Sequence, residues 1–341
     1  MKKDNFWRDK TVFITGVAGF VGSNLAKSLH KEGANIIGLT KSKKINSLLF
    51  FEKIDRKINL IFGDITDKNL LKNTFLKNKI DICFHLAAQA EVGLASKYPH
   101  LTWETNIRGT YTLLEVIRES KNKVKSIIVA SSDKAYGEYP KHKLPYKEYY
   151  ELKPEYPYDV SKACADIIAK SYSGKLFKLP IVITRFANIY GPGQLNFSTL
   201  IPDAIRSCIL KKKFVVRSNG KSIRDFVYIK DIVNLYMLLS KNLYLNPSKF
   251  SGEIFNAGTN KKYEVKDIVN KIFVFSKQKK KLDSIFKEMK KKKTKGEIST
   301  QFMDYEKLSI YLNWKPKFEI NATLPHLFRW YKKYFKNKNI I

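Results

Sequence analysis

Short apolar runs alternate with amphipathic stretches through the first half of the chain. Thr11–Thr15 (TVFIT) is apolar and β-branched, and a glycine turn follows it. Asn35–Leu39, Ile58–Phe62, Ile80–His85, Val124–Ala130 and Ile181–Thr184 read as further strands. Between them the pattern turns helical: Leu25, Ala26 and Leu29 share one face, and Leu113, Leu114, Val116 and Ile117 recur at helical spacing. Strands that are apolar throughout and separated by helices predict an α/β fold, with a parallel sheet covered on both faces.

The regularity breaks near Arg185, where a Pro- and Gly-rich stretch (NIYGPGQLNF) begins. A second, smaller C-terminal α/β domain is predicted from there. Val227–Ser240 and Glu253–Ala257 read as a return to the first sheet, so the domains interleave. The expected division is 1–184, with return segments near 225–260, against 185–224 and 261–341. A length of 341 residues suits two domains, at roughly 100–200 residues each.

Composition narrows the class. Hydrophobic residues make up 44% of the chain, enough to fill a large core. No apolar run approaches the roughly 20 residues needed to cross a bilayer. The start, MKKDNFWRDK, is polar and unlike a signal peptide, so a cytoplasmic protein is expected. Cys83, Cys164 and Cys208 are far apart and odd in number, which is a poor disulfide framework, and no metal-ligand spacing is present.

The formal net charge of +33 raises the question of nucleic acid or anionic membrane as partner. The lysines are spread along the whole chain beside abundant Asn and Ile, which favours general surface solvation over either partner. A positive field also suits a phosphate-bearing substrate. The one strongly biased segment is Lys277–Gly296, in which Leu282, Ile285, Phe286 and Met289 lie on one helical face among lysines. It is predicted to be an exposed amphipathic helix packed on the small domain and ending in a mobile loop, in preference to a membrane-surface or nucleic-acid helix.

Candidate chemistry begins at the first turn. Thr15-Gly16-Val17-Ala18-Gly19-Phe20-Val21-Gly22 follows a strand and opens a helix. Glycines at this spacing permit a tight turn, let the backbone approach a pyrophosphate and let the helix pack on the sheet, while the helix N-terminus offers free N–H groups. This predicts a Rossmann-type, doubly wound, dinucleotide-binding domain. The second strand ends not on an acidic residue but on Thr40, followed by Lys41, Ser42, Lys43 and Lys44. Taken alone, that basic, hydroxylated loop leans towards the 2′-phosphate of NADP. Asp64, before Ile65, is read either as an acceptor for the adenine amino group or as the N-cap of the next helix. Leu86, Ala87 and Ala88 end the fourth strand and leave room for a cofactor. His85, before them, reads as a satisfied core histidine.

A reacting centre is read further on. Tyr158 and Lys162 lie one helical turn apart and share a face. An ammonium beside a phenol favours the phenolate and depresses a pKa of about 10, so Tyr158 is expected to accept an alcohol proton. The strand end Ser131-Ser132-Asp133-Lys134-Ala135-Tyr136-Gly137 places a hydroxyl, an acid and an amine at the carboxyl edge of the sheet, where open α/β folds bind ligands.

Together these motifs resemble the extended short-chain dehydrogenase/reductase superfamily. The resemblance runs from FWRDKTVFITG through HLAAQAEVG, TNIRGTYTLLE, SSDKAYGE, PYDVSKACAD, RFANIYGPGQLNF and IRDFVYIKDIV to LNWKPKFE. Within it the chain looks most like the CDP-glucose 4,6-dehydratases, because Asp133-Lys134 matches the Asp-Lys pair of that branch. Simple epimerases generally lack such a pair.

The resemblance implies a lyase that makes a 4-keto-6-deoxy nucleotide sugar. Tyr158, with Ser132 and Lys162, would take the C4 hydroxyl proton as hydride leaves. Lys134 would take the C5 proton and Asp133 would protonate the departing C6 hydroxyl. Asn188 and Arg224 match positions that hold the nucleotide diphosphate, and Asn196 is a further substrate contact. The branch implies NAD, which is favoured narrowly over NADP, and a homodimer built from helices near Pro99–Ser120 and Tyr158–Ser173. Two other readings stay open: a nucleotide-sugar epimerase or 4-keto-sugar reductase, and a non-catalytic basic scaffold for nucleic acid or membrane.

Overall fold

A computed structural model describes residues 5–43, 46–293 and 298–340. The chain divides into two compact units: Met1–Gly137, Glu148–Phe186 and Val233–Asn256 form the first, and Glu138–Lys147, Ala187–Ile232 and Ala257–Ile341 the second.

The first unit is built on a seven-stranded sheet. Its strands are β1 (Thr11–Thr15), β2 (Asn35–Thr40), β3 (Asn59–Phe62), β4 (Ile82–His85), β5 (Ser126–Ala130), β6 (Ile181–Phe186) and a last strand at Ile254–Ala257. The order across the sheet is Ile254–Ala257, β6, β5, β4, β1, β2, β3. The β1–β2, β2–β3, β1–β4, β4–β5 and β5–β6 pairs are parallel. Every residue of β4 and β6 is buried, as a parallel sheet clad on both faces requires. One cladding layer packs Leu71, Phe75, Leu113, Leu114 and Ile117 onto Phe13, Cys83 and Ile127, with Phe13 and Phe75 edge to face at 5.4 Å.

The chain starts at the centre of this sheet, winds outwards through β2 and β3, and returns to β4 on the other side of β1. That reversal makes a switch point between β1 and β4. Open α/β sheets bind ligands in such a crevice, outside the carboxyl ends of the strands.

One expected element differs. Within Val227–Ser240 only the start is extended: Phe226–Tyr228 forms a short strand paired in parallel with Asn188–Tyr190. Ile229–Leu245 is a helix. Its buried Ile232, Val233, Leu235, Tyr236 and Leu239 recur at three- and four-residue intervals, a periodicity that a nearly continuous apolar run conceals. Glu253–Ala257 does return to the sheet, as its edge strand.

The second unit holds the short strand pair Ile223–Arg224 and Tyr263–Glu264, antiparallel, and the helices Leu200–Ile209, Val265–Phe275, Leu282–Lys291 and Ile320–Asn337. In the lysine-rich helix Leu282–Lys291, Leu282, Ile285 and Met289 are buried and the lysines are exposed. Residues 294–296 of that segment lie outside the described residues, as does Lys44. Among the described residues no helix is long and apolar enough to cross a membrane.

Candidate active site

The glycine turn lies at the switch point. Gly16 follows β1 at φ +69°, and a Cβ there would stand 2.8 Å from Ala87 Cα and 2.9 Å from Ala87 N. Only glycine lets the turn pass this close to the end of β4. Gly19 N–H donates to Gly16 O at 2.9 Å, and Gly19 then caps the helix Phe20–Lys31 with no side-chain hydrogen bond and no acid in the first turn. The Ser23 hydroxyl reaches Gly19 O at 2.7 Å and Val17 O at 3.0 Å, which braces the loop from inside the helix. Gly19 is exposed, and Phe20 and Val21 are half-buried. Their N–H groups therefore open a helix that offers positive potential to a phosphate. These features fit a dinucleotide pyrophosphate.

A buried hydrogen-bonded chain, not expected from the sequence, fixes the walls of this crevice. Thr15 Oγ1 accepts from Leu86 N–H at 3.1 Å and Ala87 N–H at 3.0 Å. Its one proton is then left for His85 Nδ1 at 2.9 Å. His85 consequently carries its proton on Nε2 and donates to Thr110 Oγ1 at 2.9 Å, and Thr110 donates to Asn106 O at 2.6 Å. Burial, with the nearby Lys162 charge, pushes the His85 pKa down to about 3, so the ring is neutral and serves as a structural relay.

Asn106 continues the bracing. It sits in the π-helical turn Glu104–Arg108, between the helical segments Pro99–Trp103 and Gly109–Glu119. Asn106 Oδ1 accepts from Gln89 N at 2.8 Å. Its Nδ2 donates to Gln89 O at 3.1 Å and to Ser161 Oγ at 2.8 Å, and Ser161 donates to Tyr158 O at 2.7 Å. The loop after β4 is thus tied to the helix Pro157–Ser173, which carries Tyr158 and Lys162.

Thr40 ends β2, Lys41 follows it, and Asp64 follows β3, at the same carboxyl edge of the sheet. Lys41 Nζ pairs with Asp64 Oδ2 at 2.8 Å. Asp64 Oδ1 accepts from Thr66 N at 3.0 Å and from Thr66 Oγ1 at 2.9 Å. Burial would raise the Asp64 pKa, but Lys41 and the Thr66 bonds together hold it below the usual value. Asp64 is not the N-cap of the next helix, contrary to the expectation from the sequence. The cap of helix Lys68–Lys77 is Asp67, which accepts from Leu70 N at 2.9 Å. Asp64 closes the turn before it. Ile65 is buried in the layer beneath.

The residues read as a reacting centre gather at the end of β5. The turn Asp133–Tyr136 is capped by Ser132 and packs on helix Pro157–Ser173. Ser132 Oγ donates to Asp133 Oδ1 at 3.0 Å. Both residues are buried, and Lys134 is half-buried beside them. Lys162 is also buried, and its Nζ donates to Ala130 O at 2.6 Å. Burial lowers its pKa to about 8, with Asp166 one turn later acting in the opposite direction.

The Tyr158 phenol does not behave as expected. Burial pushes its pKa above the ordinary value and the charge of Asp133 adds to the rise, while a hydrogen bond with Ser132 only offsets them. Lys162 spends its ammonium on the Ala130 carbonyl instead of holding the phenol low.

The remaining expected residues belong to the second unit. Asn188 Nδ2 donates to Asp225 O at 3.2 Å. Arg224 is buried, with Nη1 donating to Ile223 O at 2.9 Å. Asn196 Oδ1 accepts from Ser198 N at 2.9 Å and Ser198 Oγ at 2.6 Å, so that oxygen closes its own loop.

This sequence matches the GDP-mannose 4,6 dehydratase family over residues 13–326, and the chain belongs to that family. It is 35% identical over 287 residues to the dTDP-D-glucose 4,6-dehydratase of Dictyostelium discoideum, covering 80% of this chain. The matched region spans 64% of that relative's length, less than two thirds. The CDP-glucose 4,6-dehydratase of Salmonella typhimurium is 28% identical over 347 residues, covering 99% of this chain and 94% of that one.

Among solved structures, the dTDP-glucose 4,6-dehydratase of Bacillus anthracis in complex with NAD matches at 26% identity and a TM-score of 0.80, covering 95% of this chain and 97% of that one. The UDP-glucose 4-epimerase of Thermotoga maritima with UDP-glucose matches at 25% identity and a TM-score of 0.82, covering 95% and 99%.

Proposed function

We propose that this protein is an NAD-dependent nucleotide-sugar 4,6-dehydratase, and that CDP-glucose is its substrate. The observation that carries the reading is the Ser132-Asp133-Lys134 turn, which sets a buried acid and an amine against the helix of Tyr158 and Lys162. Removal of an alcohol proton needs only the Tyr–Lys pair. Loss of water needs an acid and a base as well.

NAD, held at the glycine turn, would supply the two-electron acceptor for C4 and the source of the hydride for C6. The chain's own residues handle the protons. Tyr158, hydrogen-bonded to Ser132, takes the proton of the C4 hydroxyl, which requires the substrate and the cofactor's charge to overcome the phenol's raised pKa. The new C4 ketone acidifies the C5–H bond. Lys134 takes that proton, and Asp133, once it has taken up a proton in the complex, gives it to the C6 oxygen, which departs as water. Hydride addition at C6 is matched by return of the Lys134 proton to C5, which gives CDP-4-keto-6-deoxyglucose; exchange with solvent then removes the proton taken by Tyr158 and replaces the one given by Asp133. Asn188 and Arg224 hold the nucleotide diphosphate, which Arg suits, and Asn196 is a further substrate contact. The pairing of Lys41 with Asp64 leaves it partly neutralised, which supports NAD over NADP.

The epimerase likeness favours a second reading, a 4-epimerase or 4-keto-sugar reductase. Incubation with a panel of nucleotide hexoses separates the two. The dehydratase yields a 4-keto product lighter by one water, whereas an epimerase returns an isomer of unchanged mass.

Because the hydride must return to the same substrate, the cofactor should stay bound between half-reactions. Purified protein should release NAD on denaturation, and protein that neither carries nor binds a dinucleotide would sink this reading.

A homodimer is expected as well. Leu101 and Trp103 on Pro99–Trp103 are 47% and 42% exposed, and Ile167 on the neighbouring helix Pro157–Ser173 is 60% exposed. Light scattering should give twice the chain mass, and Trp103→Glu with Ile167→Glu should give a folded monomer. A parent protein monomeric at micromolar concentration refutes the dimer.

A further inference from the structure

Asp225 lies between the strands Ile223–Arg224 and Phe226–Tyr228 and is fully buried. Its carboxylate is saturated by donors from three places in the second unit. Oδ2 accepts from Thr259 N at 2.8 Å, from Asn260 N at 3.1 Å and from Met303 N at 3.4 Å, and Oδ1 accepts from the Thr259 hydroxyl. The loop comes so close that a Cβ on Gly258 would stand 2.2 Å from Oδ2. Burial holds the acid above the usual carboxylate range, at about 6, even against these four bonds. An acid is therefore kept where desolvation disfavours it, and its gain is geometric. Only an acceptor-only group can take three backbone N–H groups and a hydroxyl at once.

What that geometry fixes is its neighbours. The backbone carbonyl of Asp225 accepts from both Asn188 N, at 3.3 Å, and Asn188 Nδ2, at 3.2 Å. This orients the Asn188 amide and leaves its Oδ1 directed by that bond. Arg224 precedes Asp225 in the chain, and its strand pairs with Tyr263. A carboxylate anchored at Thr259, Asn260 and Met303 thus locks the one short segment on which both Asn188 and Arg224 depend.

We propose that Asp225 is a positioning residue for nucleotide-sugar binding, setting Asn188 and Arg224 in register for the diphosphate. This rests on the dehydratase reading above, in which those two residues hold the nucleotide. Asp225 itself touches neither substrate nor cofactor.

The test is Asp225→Asn, which keeps size and shape but turns one oxygen into an N–H₂ group facing backbone donors. Thr259→Val, which deletes a single bond of the cluster, serves as a milder second variant. CDP, UDP, dTDP and GDP are each titrated calorimetrically into parent and variants, NAD binding is measured in parallel, and KM and kcat are taken with the sugar nucleotide of the tightest base. Asp225→Asn is expected to weaken nucleoside diphosphate binding at least about tenfold and raise KM by a similar factor. NAD affinity and kcat at saturating substrate should change less than about threefold, and Thr259→Val should show the same split to a smaller extent.

A folded Asp225→Asn that binds nucleoside diphosphate like the parent overturns the proposal and leaves the dehydratase reading standing. So does a Thr259→Val that loses thermal stability with KM unchanged, should Asp225→Asn not fold. A parent that binds none of the four diphosphates and turns over none of their sugars overturns both.

Discussion

Asp133→Asn should oxidise its substrate and then stall. Tyr158, Ser132 and Lys162 remain able to take the C4 proton, but no acid is left to protonate the C6 oxygen. General acid catalysis is worth about 10²–10⁴ in rate, so 4-keto-6-deoxy product should fall by that factor. Sugar recovered from the variant should include a 4-keto hexose that still carries its C6 hydroxyl, and the near-ultraviolet absorbance of the dihydronicotinamide should rise and persist. Tyr158→Phe should abolish both signals, since the C4 proton then has no acceptor. The contrast is informative because Asp133 is hydrogen-bonded to Ser132 and its charge is felt by Tyr158. A merely structural Asp133 would disturb both steps together. Product formation at the parent rate in Asp133→Asn would reduce the acid to a turn residue and move the epimerase or reductase reading ahead.

The largest effect on stability is expected at Arg185 and Asp166. Arg185 Nε reaches Asp166 Oδ2 at 2.7 Å and Nη2 reaches Oδ1 at 2.9 Å, with side chains 4% and 2% exposed. Arg185 Nη1 also donates to Glu148 O at 3.2 Å, and the guanidinium lies 4.7 Å from the centre of the Tyr136 ring. Burial alone would lower the Arg185 pKa, but the bonds to Asp166 turn the shift upward. Removing one partner leaves the other charge buried and uncompensated.

Asp166→Ala should therefore cost about 3–5 kcal/mol, read from urea unfolding. Replacing both at once, as Asp166→Leu with Arg185→Met, should recover most of that loss, because a well-packed apolar pair is close to neutral relative to a buried ion pair. A single-variant cost near that of an exposed ion pair, about 0–1 kcal/mol, would mean that water or another group satisfies the arginine.

The parts of this protein that were legible in its sequence are those written in neighbouring residues. The strand Thr11–Thr15, the glycine turn and the helix behind it follow from local periodicity and from backbone demands that few residue types meet. Tyr158 and Lys162 are one helical turn apart, so their shared face needs no tertiary knowledge. The lysine-rich helix was legible for the same reason, since Leu282, Ile285 and Met289 mark its buried stripe.

What escaped was set by partners distant in the chain. Thr15 meets His85 across 70 residues, and Asn106 meets Ser161 across 55. Only the sheet order brings them together. The helix Ile229–Leu245 was missed because an apolar run buried on several sides loses the alternation that separates strand from helix. Only Asp64 was weighed as a cap from the sequence, whereas the helix begins three residues later and is capped by Asp67. The pKa of Tyr158 depended on burial, which no spacing reveals.

The order of strands across the sheet also limits how this protein is divided by engineering or by recombination. β6 is followed in space by Ile254–Ala257, a strand that arrives about seventy residues later in the chain, after Ala187–Ile232 of the other unit has been traversed. Ile183 N donates to Glu253 O at 3.0 Å and Gly252 N to Ile181 O at 2.7 Å along that seam. A gene cut after Phe186 would keep the glycine turn and the Tyr–Lys pair, yet leave six buried residues of β6 as a bare edge, a template for self-association. The dinucleotide-binding part is thus not a detachable cassette. Exchanging substrate preference by modular grafting calls for two excisions, one on each side of the residues that come back, so the natural unit of inheritance is the interrupted chain and not its first half.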